Sequence, residues 1–362
     1  MALQGYLDVC AESLIAGWVW DRDDPERRFV VEIRVDGESL TRVPAKQYRE
    51  DLEKNGIGDG TYAFCYTFPS PIDAKRQEIS VVALGADVYL PRSQTDPLAT
   101  GGHAPLNWPP IEVDLDAEGR KLQTMHDHVN SAWSRLGRIE PYWSVLSHHN
   151  FTADSFSQHK EEFFESGKPN IEDFSAFVLR SGVDLSPDQT CFELGCGVGR
   201  LTAWLSPMFS RVIAADISFN HLQIAKIALE ERGIQNVLFL QPQTLKDLKG
   251  IGPFDVFFSV IVFQHNPPPI IAYMLRTILQ QLKPGGIGYF QIPTYSKGYA
   301  FDVDSYLSQI NELHDVEMHV LPQRNVIDIV YASDCKLLEI REDDWTGDVN
   351  GISNTFLIQK KN

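Results

Sequence analysis

Up to about residue 100 the chain alternates apolar and polar positions in short runs. Phe29 to Val35 alternates and closes on Asp36-Gly37, and Glu38 to Val43 takes the pattern up again. Period-two alternation marks half-buried strands, and Asp-Gly between two such runs marks a hairpin. Thr61 to Phe68 and Glu78 to Leu84 read the same way, and only Ala45 to Asn55 reads as helix. Residues 1–97 are therefore predicted to form a small β-sandwich. Residues 98–116, with Gly101-Gly102 and Pro109-Pro110, read as a linker. Helical spacing follows over Ala117 to Leu136 and Ser157 to Ser181, a helical cover across residues 117–188.

From Gln189 the pattern becomes strand, turn, helix, repeated. Predicted strands are Cys191–Leu194, Arg211–Asp216, Val237–Leu240, Phe254–Val262 and Ile287–Ile292. Predicted helices are Arg200–Phe209, Asn220–Arg232, Ile270–Leu282 and Gln323–Ala332, with final strands at Lys336–Arg341 and Thr355–Gln359. This alternation predicts an α/β domain over residues 189–362, with a parallel sheet covered by helices on both faces.

Composition narrows the class. The 362 residues suffice for about two domains. Hydrophobic residues at 43% and charged residues at 22% exclude a disordered chain or a collagen. The apolar run Val256 to Phe263 is too short for a membrane span. The first residues lack a basic stretch followed by an apolar one, so no secretory signal is expected. A net charge of −17 makes a poor nucleic-acid binder. Five cysteines without zinc-finger spacing suggest reduced thiols and a cytoplasmic protein. Neither His126-Asp127-His128 nor His148-His149 has a metal spacing, so no metal is expected.

The chemistry concentrates at Phe192-Glu193-Leu194-Gly195-Cys196-Gly197-Val198-Gly199-Arg200. A strand runs through three alternating glycines into a helix. Glycine permits the turn and leaves room for a ligand, which the first helical amides then face. Asp216 ends the next strand, where an acid accepts both ribose hydroxyls of an adenosine ligand. A dinucleotide fingerprint wants its third glycine at position 200, which is Arg. No Lys-Ser or Lys-Thr follows, so the turn is no nucleotide-triphosphate loop either.

Glu-Leu-Gly-Cys-Gly-Val-Gly-Arg, followed by Ala-Ala-Asp-Ile-Ser, resembles the first two motifs of the Rossmann-like S-adenosylmethionine-dependent methyltransferases. The resemblance runs from about Cys191 to Tyr295. It implies a mostly parallel seven-stranded sheet, S-adenosylmethionine as cofactor, and a set of cofactor residues. Glu193 would serve the cationic methionyl end, Gly195, Cys196, Gly197 and Gly199 the backbone cradle, Asp216 the ribose and Ile217 the adenine face. The loop after the third strand would reach the adenine edge through Gln243, Thr244 and Leu245, without the acid common there in the family. Ser259, at the end of the fourth strand, completes the set.

Methyl transfer needs a positioned nucleophile and, for a hydroxyl, a base. The resemblance places the methyl at the end of the fourth strand, where His265 stands just before Asn266-Pro267-Pro268. Its ordinary pKa of ~6.5 suits a base. His319, in Glu317-Met318-His319, is the second candidate, with Tyr295 as a lining residue and Asp343 and Asp344 in a solvated loop. Ala16-Gly17-Trp18-Val19-Trp20-Asp21, Val35-Asp36-Gly37, Tyr48 to Leu52 and Gly58 to Phe64 resemble β-sandwich modules attached to glycan-processing enzymes. That points to O-methylation of a glycan or glycolipid precursor. An aromatic or polyketide-like small molecule is the next acceptor class, and a cofactor-binding scaffold without catalysis a third reading. Trp18 and Trp20 share one strand face, as a core-facing pair or a sugar platform, and Arg49 and Asp51 suggest a structural ion pair.

Overall fold

The computed structural model describes residues 3–10, 14–68, 79–86, 88–91, 110–310, 316–343, 345–346 and 351–362. The chain divides into two units, Met1–Trp108 and Pro109–Asn362. Residues 98–109 of the expected linker, with Gly101-Gly102, and Asp344 lie outside the described residues.

The N-terminal unit holds β1 (Leu3–Cys10), β2 (Leu14–Asp21), β3 (Val30–Val35), β4 (Glu38–Pro44), helix α1 (Glu50–Lys54), β5 (Ala63–Thr67), β6 (Ile79–Ala83) and β7 (Val88–Tyr89). They form two antiparallel sheets, ordered β1-β2-β5 and β4-β3-β6-β7. Alternate residues of both sheets, among them Leu7, Ile15, Val19, Val31, Ile33, Phe64 and Val81, enter one hydrophobic core. The helix expected over Ala45–Asn55 is shorter, because Gln47 pairs with Ala63 in an extended bridge. Trp18 and Trp20 are buried and pack with Leu52 and Tyr62, so neither offers a sugar-stacking face. Arg49 pairs with Asp51 at 2.6 Å and also with Asp8.

The C-terminal unit opens with residues 112–114 stitched to residues 301–303. Val113 bridges Phe301, and the amide of Val303 donates to Asp114 Oδ2 at 2.9 Å. Helix α2 (Arg120–Ile139) follows, then α3 (Phe156–Glu165) and α4 (Lys168–Arg180). The single helix expected over Ser157–Ser181 is broken at Ser166-Gly167. A Cβ on Gly167 would sit 2.6 Å from the Arg200 carbonyl, and a proline starts the next helix.

The sheet of this unit comprises β8 (Thr190–Leu194), β9 (Arg211–Ala215), β10 (Val237–Leu240), β11 (Phe254–Ser259), β12 (Leu282–Ser296), β13 (Cys335–Asp343) and β14 (Gly351–Lys360). Its order is β10-β9-β8-β11-β12-β14-β13, with only β14 antiparallel to its neighbours β12 and β13. The connecting helices are α5 (Thr202–Leu205), α6 (Phe219–Glu231), α7 (Pro268–Leu279), α8 (Val303–Gln309) and α9 (Gln323–Ala332). Strand alternation builds two cores. Phe192, Ile213, Phe257 and Phe290 face one side, while Cys191, Val212, Val256, Phe258 and Tyr289 face the other. Order reverses between β8 and β11, and α/β sheets bind ligands at the carboxyl ends of strands flanking such a reversal.

The helix expected over Arg200–Phe209 is cut to one turn and a 3-10 turn, and β11 stops at Ser259. Asp343 is the last residue of β13 rather than a solvated loop residue, and Thr355 Oγ1 donates to its Oδ2 at 2.8 Å.

Candidate active site

At the reversal the glycine turn leaves β8 with φ of 75° at Gly195 and 53° at Gly197. A Cβ would meet Val262 Cγ2 at 2.2 Å at the first and Val145 Cγ2 at 2.6 Å at the second. Both conformation and space therefore require glycine here. The amides of Gly195 and Cys196 donate to the Ala215 carbonyl, tying the turn to β9.

Asp216, at the end of β9, is buried. Its Oδ2 accepts from the Gly197 amide at 2.9 Å and its Oδ1 from the Ser218 amide at 2.8 Å. Each oxygen keeps a further acceptor site. His221 lies beside it, Nδ1 3.5 Å from Oδ1, with Nε2 bonded to Ser144 Oγ at 3.0 Å.

Glu193 on β8 is buried, and its Oε2 accepts from Thr202 Oγ1 at 2.6 Å. Burial pushes its carboxyl up to about 7, against the lowering by the Thr202 hydrogen bond and the Arg200 charge. Burial in turn pushes Arg200 down to about 10. Its Nη1 donates to the main-chain oxygen of Ser166 and to Asn170 Oδ1, both at 3.0 Å, while Nε is buried without a hydrogen-bond partner, and among the described residues no cation forms an ion pair with Glu193.

A cavity joins these groups. Glu193, Gly195, Cys196, Gly197, Asp216, Ile217, Thr244, Leu245 and His265 all line it. Four expected site residues do not. Gly199 packs against Leu229 and Ala225 on α6. Ser259 is fully buried and donates to the Leu194 carbonyl at 3.1 Å, holding β11 to β8. Gln243 is exposed, because the Asp247 carboxylate draws the amides of residues 243 and 244 into a capping turn. His319 is buried among Glu317, Tyr299 and Tyr306 rather than facing the cavity. Tyr295 does not line it either.

The sequence reading missed several walls of this cavity: His126, Val129 and Trp133 from α2, and Ser144 and Val145 from the segment after it. Leu122, His126, Val129 and Trp133 stand at three- and four-residue spacing, the stripe by which α2 turns one face inward. That periodicity was the available signal. His126 is buried with Nδ1 unpartnered, and burial lowers its pKa.

His265 sits in a tight turn after β11. Its Nδ1 is 2.9 Å from the Glu317 carbonyl, and its ring centroid is 4.9 Å from that of Trp133. Burial pushes its pKa down to about 4. Just before it, Ile261 has φ of 59°, a strained conformation for a β-branched residue, pinned by its amide donating to Gln291 Oε1 at 3.0 Å.

Residues 192–286 match the family model described as methyltransferase domain. A ubiquinone biosynthesis O-methyltransferase from Escherichia coli O6:H1 is 29% identical over 172 residues, 45% of this chain and 68% of that protein. A protein of the same name from Caulobacter sp. strain K31 is 32% identical over 97 residues, 26% of this chain and 37% of that protein. Among solved structures, a magnesium protoporphyrin IX methyltransferase from Synechocystis PCC 6803 with bound SAH aligns over 66% of this chain and 100% of its own at a TM-score of 0.47 and 15% identity. The family match, the strand order and the glycine turn agree. The C-terminal unit is a Rossmann-like methyltransferase domain, of the class that uses S-adenosylmethionine.

Proposed function

We infer that the chain transfers the methyl group of S-adenosylmethionine to a hydroxyl oxygen of an aromatic or similarly apolar small molecule, with His265 as general base. The observation that carries this reading is that one cavity is lined by the glycine turn, Asp216 and His265 together.

The residues present fit the cofactor. Asp216 has acceptor capacity left for ribose hydroxyls after its two amide bonds. Glu193 is a buried carboxyl without a paired cation and suits the ammonium end. Thr244, Leu245 and Ile217 supply the adenine side. When bound, the cofactor supplies an electrophilic methyl on sulfur. His265 is neutral at physiological pH and so available to take a proton. Its basicity is low, yet sufficient, because an oxygen that has gained a methyl group holds its proton very weakly.

Trp133 and Val262 stand beside His265 on the cavity wall, which favours an aromatic acceptor over a glycan. The O-methyltransferase names of the sequence relatives support oxygen as the target. We read residues 1–97 as an accessory β-sandwich, residues 98–116 as a linker, 117–188 as a helical cover and 189–362 as the catalytic domain. The shared core of the two N-terminal sheets supports the sandwich. The glycan role suggested by the front residues draws no support from the buried Trp18 and Trp20. Five free cysteines fit a reducing, cytoplasmic setting.

The test is calorimetric titration with S-adenosylmethionine and S-adenosylhomocysteine, then methyl transfer to a panel of phenols, catechols and oligosaccharides. His265→Ala is expected to bind cofactor normally and lose roughly 10²-fold or more of turnover. Undiminished turnover in that variant removes the base, and transfer to oligosaccharides alone overturns the acceptor class.

A further inference from the structure

We propose that Gln264 and Glu317 are positioning residues that fix His265 as its Nδ1–H tautomer, with Nε2 the nitrogen that carries no proton. The inference rests on the reading of His265 as the base, but the tautomer itself is observable without it.

Two independent contacts select the same tautomer. On one side, Nδ1 lies 2.9 Å from the main-chain oxygen of Glu317. A carbonyl only accepts, so Nδ1 carries the hydrogen. On the other side, Gln264 Nε2 lies 3.4 Å from His265 Nε2. An amide nitrogen only donates, so Nε2 is the bare nitrogen.

The orientation of the Gln264 amide follows from a chain with a fixed start. The Ile261 main-chain N–H donates to Gln291 Oε1 at 3.0 Å, which assigns oxygen and nitrogen on that side chain. Gln291 Nε2 then donates to Gln264 Oε1 at 3.2 Å and to Ser353 Oγ at 2.7 Å. With its oxygen engaged, Gln264 turns its nitrogen toward His265. Gln264 and Gln291 are buried, so water does not scramble the order.

The Glu317 carbonyl is held just as firmly. Its own carboxylate accepts from His128 Nε2 at 2.6 Å, from Tyr306 OH at 3.2 Å and from His319 Nε2 at 2.9 Å. The His319 amide donates to the Gln264 carbonyl at 2.6 Å. The segments around residues 264 and 318 are thus laced by two bonds in opposite directions. This gives buried His319 a function: it fastens the segment that orients the base. The titratable groups facing His265 are His319, which opposes its protonation, and the Glu317 carboxylate, which is committed to His128, Tyr306 and His319.

The test replaces the donor by an acceptor. In Gln264→Glu both ring nitrogens face acceptors, a setting that suits only the imidazolium. The expected result is a His265 pKa raised by more than ~1 unit, with the acid limb of the methyl-transfer pH profile moved up equally. The direct readout is nitrogen NMR of ¹⁵N-histidine-labelled full-length protein, with His265 assigned as the signals missing from His265→Asn. At pH 7 the native protein is expected to show a protonated Nδ1 and a bare Nε2, and on acidification Gln264→Glu is expected to reach two protonated nitrogens more than ~1 pH unit above the native protein.

Gln264→Met, of similar length but with no donor, is expected to let a fraction of His265 carry its proton on Nε2 without the rise in pKa, with folding followed by circular dichroism melting. A protonated Nε2 in the native protein overturns the proposal. So does a Gln264→Glu titration identical to native, an unchanged tautomer in Gln264→Met, or the same pH shift in Gln264→Met. Loss of the base reading would show instead as full turnover in His265→Ala, while the tautomer stays readable without acceptor or cofactor.

Discussion

The Gly197 amide and the Asp216 carboxylate, nineteen residues apart in sequence, are joined at 2.9 Å. The carboxylate thus holds the glycine turn in shape, and the turn holds the carboxylate in place. Asp216→Ala is expected to weaken S-adenosylmethionine binding by roughly 1–3 kcal/mol and to lower the melting temperature of the ligand-free protein, because two amides lose their acceptor. Titration calorimetry and thermal melting check both, and an unchanged dissociation constant would sink the ribose assignment.

The proposed role of Glu193 at the ammonium end predicts that cofactor binding depends on pH. Burial first, opposed by Thr202 and Arg200, holds its carboxyl near 7, above the value of ~4.3 in an unfolded chain. The folded state therefore binds the extra proton between those values, and this contribution to stability is lost as pH rises through 7. A cation bound beside Glu193 favours the carboxylate and releases the proton. Affinity for S-adenosylmethionine is expected to rise from pH 6 to 8, and Glu193→Gln to flatten that rise. Calorimetry in buffers of different ionisation enthalpy measures the released proton.

The close approach of Val145 to Gly197 predicts a cost that resists rescue. Gly197→Ala places a methyl 2.6 Å from Val145 Cγ2, at a φ of 53°. Val145→Ala in the same chain removes the clash but leaves the backbone strain, on the order of 1 kcal/mol. The double variant is expected to recover part of the cofactor affinity and not all, as read by the dissociation constant.

Gln243 offers a contrast. It is exposed, and only its main-chain amide is engaged, by Asp247. Gln243→Ala is expected to shift cofactor binding by less than about 0.5 kcal/mol. Asp247→Ala, which unlocks the capping turn carrying Thr244, is expected to weaken it more. Equal effects would return Gln243 to the adenine site.

What was legible in the chain was what is local. The apolar run into Gly195, the acid at the end of β9 and the histidine after β11 each lie where a strand ends, and strand ends are written in short-range pattern. What was not legible depends on contacts between distant segments. Gln243 turns outward because Asp247 captures its amide, a choice made by loop geometry. His319 is drawn inward by Glu317 and Tyr299 although it stands in a polar stretch. The wall formed by His126, Trp133 and Ser144 comes from elements some seventy to ninety residues before Asp216, and no local pattern couples them to it.

Ile261 carries a further consequence. A β-branched residue held in a left-handed conformation by a buried glutamine oxygen is a bend kept under tension, at a cost of order 1–3 kcal/mol. The contacts that hold it lie within the chain itself, Gln291 on Ile261 and Asn266 Nδ2 on the Val262 carbonyl at 2.9 Å, so the loop bearing His265 is ordered by folding. Its entropy has already been surrendered during folding, and binding should register there as docking onto a rigid surface, with little change in hydrogen-exchange protection at residues 261–266.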